Sequence, residues 1–167
     1  MDDDELDGGE SQNVYLTFVV ANETYAVNIQ AVTSIVGMQH ISGIPDMPDY
    51  VKGVMNLRGK VIPVMDLRLR FGMPWQVYDD RTTIIVLGLK DAASSGLIVD
   101  RVTDVITIPP EKITAPPTTQ EGKEKGMILG LGKLDEQVCI ILNIARLVLD
   151  QETQPETSGG DNGVSSR

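Results

Sequence analysis

Few residues in this chain have the types and spacing that chemistry requires. His40 is the single histidine and sits in the polar stretch Met38-Gln39-His40-Ile41-Ser42-Gly43. It has no nucleophile or orienting acid beside it, so acid–base catalysis through an imidazole has no partner here. Cys139 is the single cysteine, inside the apolar run Val138-Cys139-Ile140-Ile141-Leu142, and reads as a buried small hydrophobe rather than a thiolate nucleophile. No Cys/His cluster has the spacing of a zinc site. Gly130-Leu131-Gly132-Lys133 resembles a phosphate loop only in part: that loop needs Gly where Met127 stands and Ser or Thr where Leu134 stands. Asp79-Asp80 and Asp135-Glu136 fall at expected turns, where solvation explains them. An enzyme would have to work through Asp66 and Asp100, and neither has a catalytic partner in the sequence. Arg58, Lys60, Arg68 and Arg70 form a modest basic run, but no aromatics interleave with it, as a single-strand binder would need. These observations favour a binding protein over an enzyme, with no cofactor, no metal and no nucleic-acid partner expected.

The charge balance supports that reading once it is located. The 167 residues carry a formal net charge of −10. Residues 1–13 hold six acids and no base, and residues 150–167 hold four acids against Arg167. The body, 14–149, keeps 14 acids and 13 bases, a net charge of −1. The acidity therefore belongs to two polar tails with too little apolar surface to offset the entropy of ordering. A lone cysteine excludes an internal disulfide and fits a reducing compartment. No secretory signal and no run of 18 apolar residues is evident, so a cytoplasmic protein without membrane insertion is expected.

Between the tails the pattern is mostly short strands. Val14–Val20 and Thr24–Ile29 predict a hairpin around Ala21-Asn22-Glu23. Val32–Met38 predicts a third strand, followed by a proline-punctuated loop and a brief helical turn at Asp49–Lys52. Gly53–Leu57 and Val61–Met65 predict strands joined at Arg58-Gly59-Lys60, with Pro63 suggesting an edge position or a bulge. Asp66 is placed to cap a short helix, Leu67–Phe71, ended by Gly72. Further strands are expected at Thr82–Leu87, Gly96–Val99, Val102–Ile108, Met127–Leu131 and Val138–Leu142. Residues 118–125 read as a mobile loop, and Asn143 is placed to cap a final short helix, Ile144–Leu149.

The two halves repeat. An offset of 70 lays Val27–Ile35 over Leu97–Val105, and an offset of 77 lays Gly53-Val54 over Gly130-Leu131 and Val61–Leu67 over Val138–Ile144. The matched chain order predicts two copies of one β lobe, roughly 14–72 and 82–149. Five short strands per lobe could close as a small barrel and so limit free edges.

The run Gly53-Val54-Met55-Asn56-Leu57-Arg58-Gly59-Lys60-Val61-Ile62-Pro63-Val64-Met65-Asp66-Leu67 resembles the signature of the CheW family of bacterial chemotaxis coupling proteins. Tyr15–Phe18, Tyr25-Ala26-Val27, Ile44-Pro45 with Pro48, and Tyr50–Gly53 fit upstream. Gly96–Asp100 with Val102, the segment Ile113–Pro117 and the strand before Asn143-Ile144 fit downstream, so the resemblance covers about 14–149. It implies an all-β fold of two SH3-like five-stranded barrel lobes with short helical turns and a short C-terminal helix. It implies a non-enzymatic adaptor that couples chemoreceptor signalling tips to the regulatory domain of the CheA histidine kinase. Such an adaptor is cytoplasmic and recruited to membrane-associated receptor arrays. A related chemosensory pathway with another output, such as pilus-based motility, is the alternative.

The same resemblance nominates site residues. Arg58 is the receptor-coupling residue it implies, since a planar guanidinium can bond helix carbonyls or carboxylates across a groove. Gly59 would allow the turn that presents it and Asn56 would brace that turn. Val32 and Ile35 stand where similar proteins offer an apolar strip to the receptor hairpin, and Val54 and Leu57 lie close by in sequence. Gly53 reads as a backbone requirement rather than a contact. Many relatives carry an acid near position 34, whereas this chain has Ser34, so Arg58 would turn to Asp66, another acid or solvent. The kinase is expected on the second lobe, 82–140, with no individual residue singled out.

Overall fold

The structure is a computed structural model, and it describes residues 12–88, 94–116 and 126–147. The expectations for the acidic tail up to residue 11, the loop 118–125 and the tail from 148 onward lie outside these residues.

The chain runs β1 (Val14–Val20), β2 (Glu23–Asn28), a 3-10 turn (Ile29–Ala31), β3 (Val32–Gly37), β4 (Val51–Leu57), β5 (Lys60–Asp66), α1 (Leu67–Arg70), β6 (Thr83–Leu87), β7 (Ser95–Val99), β8 (Arg101–Thr107), a 3-10 turn (Pro110–Lys112), β9 (Ile113–Thr114), β10 (Ile128–Leu134) and β11 (Gln137–Leu142). Residues 144–147 are helical. Both short helices start as expected. Asp66 accepts a hydrogen bond from the Leu69 amide at 3.3 Å and Asn143 accepts one from the Arg146 amide at 3.4 Å, which satisfies first-turn donors that the helix itself leaves free. Gly72 ends α1 with φ of 79°. Two local expectations change. Residues 49–50 form a turn and 51–52 already belong to β4. Pro63 lies in β5, which pairs on both sides, with β4 and β7. The β7 ladder begins only at Val64, so the missing proline N–H falls where no partner strand asks for it.

The strands form two sheets, ordered β8-β1-β2-β11-β10-β9 and β3-β6-β7-β5-β4. The repeat is visible in them. Matching β1 to β6, β2 to β7, β3 to β8, β4 to β10 and β5 to β11 turns one sheet order into the other. The pairing senses agree as well: β2–β11 and β5–β7 are parallel, and the other matched ladders are antiparallel. The expected division at 72/82 does not describe these sheets. Each copy sends its first hairpin into one sheet and its last three strands into the other. Residues 32–99 supply one sheet, while 14–28 and 101–142 supply the other.

The reason lies in the alternation of apolar residues. Each sheet curls around its own cluster. One is built on Met55, Ile62, Val64, Ile84, Val86 and Ile98, with Val36 and Leu57 packed against it from opposite ends of the ladder. The other is built on Ala26, Ile108, Cys139 and Ile141. The ladders themselves do not close into rings; side chains close the lobes. The opposite faces of β1, β2, β5, β6, β7 and β11 meet in a larger cluster that includes Phe18, Tyr25, Met65, Leu67, Ile85, Leu97 and Leu142. Successive residues of β6 thus serve different cores, Ile84 and Val86 one, Ile85 and Leu87 the other. This explains why β7 is buried along its whole length. Cys139 is fully buried, and that burial pushes its thiol pKa up, keeping it protonated.

Two glycines show the same duplication in backbone detail. Gly53 has φ of 141°, and a Cβ there would collide with the Ser42 carbonyl oxygen. Ser42 crosses β4 at this point and exchanges two backbone hydrogen bonds with Val54, of 2.8 and 2.9 Å. Gly130, the equivalent residue, would place a Cβ 2.7 Å from the Thr114 carbonyl oxygen where β9 crosses β10. We expect Gly53→Ala to cost about 2 kcal/mol through an unfavourable backbone conformation and a displaced crossing strand. Gly43→Ala, at a residue with open space around it, should be near neutral. Urea denaturation of the two variants separates these outcomes.

Candidate functional site

The β4–β5 turn is the first surface to consider. Arg58 and Gly59 are its central residues, with φ of 53° and 86°. Two successive positive φ values fit a tight hairpin that keeps the right-handed twist of its strands. Asn56 Oδ1 accepts a hydrogen bond from the Gly59 amide at 3.0 Å, the bracing role expected of it. Arg58 is exposed and forms no ion pair or hydrogen bond among the described residues. It does not reach Asp66, which is 2% exposed and engaged elsewhere.

The nominated apolar residues divide between two environments. Leu57 packs into the cluster inside the curled sheet and Val32 packs against the cluster between the sheets. Ile35 stands 47% exposed, and Val54 is half-buried beside the Ser42 crossing. Val32 pairs with Leu87 and Ile35 with Ile85, so the register shift between Val32 and Ser34 brings the two to one face of β3, with Val32 half-buried and Ile35 exposed.

Between the lobes lies an apolar cavity of about 370 Å³, lined by Tyr15, Ala31, Gly88, Leu129, Ile141 and Ile144 among others. Val32 adjoins it through Ala31, whose carbonyl accepts a hydrogen bond from the Gly88 amide at 2.9 Å. No short motif marks this groove, since its walls come from five separate stretches of chain.

The internal repeat places a second cavity, of about 450 Å³, at a corresponding junction, and its lining is polar. Asp66, Tyr78, Arg68 and Asp100 face it together. Arg68 grips Asp100 through two hydrogen bonds, of 3.1 and 2.6 Å, and Asp100 also accepts one from the Ala21 amide at 2.9 Å. Tyr78 donates to Asp66 at 2.7 Å. Burial and that carboxylate push the Tyr78 pKa well above the usual phenol range. Asp79, fully exposed, is held below the usual carboxylate range, first by the Arg81 amide it accepts. The two acids that an enzyme reading needed thus line one cavity, and each is already engaged. Removing the phenol by Tyr78→Phe leaves the buried Asp66 oxygen one donor short. We expect a loss of about 2 kcal/mol, read as a lower urea midpoint at unchanged slope.

The basic run dissolves as a surface. Arg68 is tied to Asp100, and Arg70 is buried with its guanidinium 4.8 Å from the Tyr50 ring centre. Only Arg58 and Lys60 of the four face solvent freely. His40 is exposed, with Nε2 3.4 Å from the Ser42 hydroxyl. Among the described residues no helix is long and apolar enough to cross a membrane.

Comparison with known proteins matches this arrangement. The CheW-like domain family matches residues 14–152. The chemotaxis protein CheW of Bacillus subtilis is 36% identical over 140 residues, covering 83% of this chain and 87% of the relative. That of Klebsiella aerogenes is 35% identical over 138 residues, covering 83% and 82%. The crystal structure of the scaffolding protein CheW from Thermoanaerobacter tengcongensis superimposes with a TM-score of 0.73 at 33% identity, covering 79% of this chain and 89% of that one. With its two interlaced sheets, its Asn-Leu-Arg-Gly turn and these relatives along nearly its whole body, the chain belongs to the CheW family of chemotaxis scaffolding proteins.

Proposed function

We propose that this chain works without catalysis, joining the helical tip of a chemoreceptor to a CheA-type histidine kinase at membrane-associated receptor arrays. The observation that carries the reading is the β4–β5 turn. A braced, left-handed backbone holds in solvent a guanidinium with no partner among the described residues, ready for carboxylates or helix-end carbonyls of a partner. Arg58 supplies the polar anchor, Asn56 and Gly59 set its direction, and Ile35 and Val54 add partly exposed apolar surface. The half-buried Val32 borders the apolar groove between the lobes, while Leu57 supports the turn from inside. The kinase contact belongs on the lobe made by β1, β2 and β8–β11, which contains most of the stretch 82–140.

Interfaces of this kind gain strength from repetition rather than area, so the test uses clustered partners. Receptor signalling fragments assembled on vesicles are mixed with CheA and this protein, and the pellet is assayed for kinase activity. The scaffold reading expects the kinase in the pellet and activated only when the protein is present. Sedimentation of the kinase to the same extent without it would sink the reading.

A further inference from the structure

The polar cavity and the apolar groove occupy equivalent places in the repeat. At the offset of 70, Ile98, Asp100 and Arg101 of the cavity are the equivalents of Asn28, Gln30 and Ala31 of the groove. Tyr25 and Ser95 are equivalent at the same offset. Their ladder partners are Phe18 and Leu87, and the residues that follow these, Val19 and Gly88, each line one of the two spaces. At the offset of 77, Asp66 and α1 are the equivalents of Asn143 and the helical residues 144–147. The cavity has one further wall. After α1 the chain turns at Gly72 and runs along it, so that Gln76, Val77, Tyr78 and Asp79 line it. Tyr78 fastens this strap to Asp66 at 2.7 Å.

We infer that the chain after residue 147 straps the apolar groove, as the segment after α1 straps the polar cavity. It opens with Val148 and Leu149 and continues Asp150-Gln151-Glu152-Thr153-Gln154-Pro155. Its character fits the place. Gln76, Tyr78 and Asp79 bring polar groups to a polar cavity, whereas Val148 and Leu149 bring apolar surface to a groove walled by Ala31, Leu129, Ile141 and Ile144. Among the described residues no acid lines the groove, so Asp150 and Glu152 meet no like charge there. The length suffices as well: the equivalents of residues 76–79 are 153–156, and the chain runs on to 167. The tether is short. The helical turn that carries Ile144 in the groove wall ends at Leu147, so the two apolar residues follow at once and little chain entropy opposes their seating. Leu129, 59% exposed on the wall, gains cover. The strap closes the groove to any other apolar segment, which must displace it to enter. This inference goes beyond the receptor reading and does not rest on it.

The test is paramagnetic broadening in the full chain. A nitroxide is attached at Glu152→Cys, and Cys139, being buried, stays unlabelled. The repeat supplies its own control, since Ala31 and Gly88 at the groove have Arg101 and Val19 as equivalents at the polar cavity. The amide peaks of Ala31 and Gly88 should lose at least about threefold more height than those of Arg101 and Val19, as a strap seated most of the time requires. Leu149→Ser removes much of the apolar surface that holds the segment and should abolish the difference. Leu129→Ser, on the exposed groove wall, should reduce it from the other side, and the amide spectrum of each variant shows whether it is folded. Equal broadening at the two sets of amides, or a difference that persists in full in either folded variant, would overturn the proposal. So would broadening that arises between nitroxide-labelled and separately isotope-labelled copies, because the occupant would then be a second molecule.

Discussion

Arg58→Glu is expected to abolish capture by clustered receptor fragments while leaving capture by the kinase intact. The substitution reverses a charge that has no partner within the described chain, so the fold loses nothing by it. Surface changes away from specific contacts stay within about 0.5 kcal/mol. At the interface the effect is different in kind. A guanidinium bonded to carboxylates or carbonyls is replaced by a carboxylate facing them, and truncating one member of a desolvated charged pair already costs about 2–5 kcal/mol. The receptor affinity should therefore fall at least tenfold. Arg58→Ala should fall less and Arg58→Lys least, because the ammonium keeps the charge but not the two-pronged geometry. The measurement is co-sedimentation with receptor fragments and, separately, with the kinase. Loss of both partners together would place Arg58 in the fold or in a shared surface. Retention of both would remove the turn from the site.

Phe18→Ala should cause the largest fall in stability among single substitutions discussed here, about 3–5 kcal/mol. Phe18 is fully buried, and its ring stacks on Tyr25 at 6.0 Å, with Tyr25 in turn on Phe71 at 5.9 Å. Tyr25 is itself buried in the same cluster, so truncation of Phe18 leaves a cavity beside it. For a chain of this size each kcal/mol moves the midpoint by about 2–4 °C, and a fall of about 10 °C is expected. The shape of the transition is as informative as its position. Phe18 belongs to the cluster shared by both sheets, and each repeat contributes strands to both lobes. The lobes should consequently unfold together, in one transition that Phe18→Ala shifts without splitting. Two resolved transitions in a calorimetric scan would mean that the shared cluster does not couple them.

Much of this was legible in the residues themselves. Alternation marked most strands, because a half-buried strand must switch faces at each residue. Asp66 and Asn143 marked the helix starts, and Arg58-Gly59 marked a turn, because local hydrogen bonding and φ preference act over three or four residues. The repeat was readable as matching strings at offsets of 70 and 77. The role of Gly53 was anticipated in kind, as a backbone requirement. Its cause, the Ser42 crossing, depends on a residue eleven positions away and on a loop whose path carries no periodic signal.

Other features were hidden for the same reason. The Arg68–Asp100 pair joins residues 32 apart, and Thr17 and Thr103 share a 2.7 Å hydrogen bond across 86. Nothing near either partner announces the other. The basic run was a run only along the chain: α1 turns Arg68 toward Asp100 and Arg70 toward Tyr50.

The sequence by itself determined the β class, the duplication, the caps, the turn that displays Arg58 and the family to which the chain belongs. These follow from local steric and hydrogen-bonding preferences, from the two-residue period of a strand, and from a signature read in order. Only the tertiary structure decided which strands share a sheet. A repeat fits equally well with two consecutive lobes and with two lobes that exchange strands, and the choice depends on how both faces of β6 and β7 are buried at once. That choice also set which acids met in a cavity and which arginine of the basic run faces solvent.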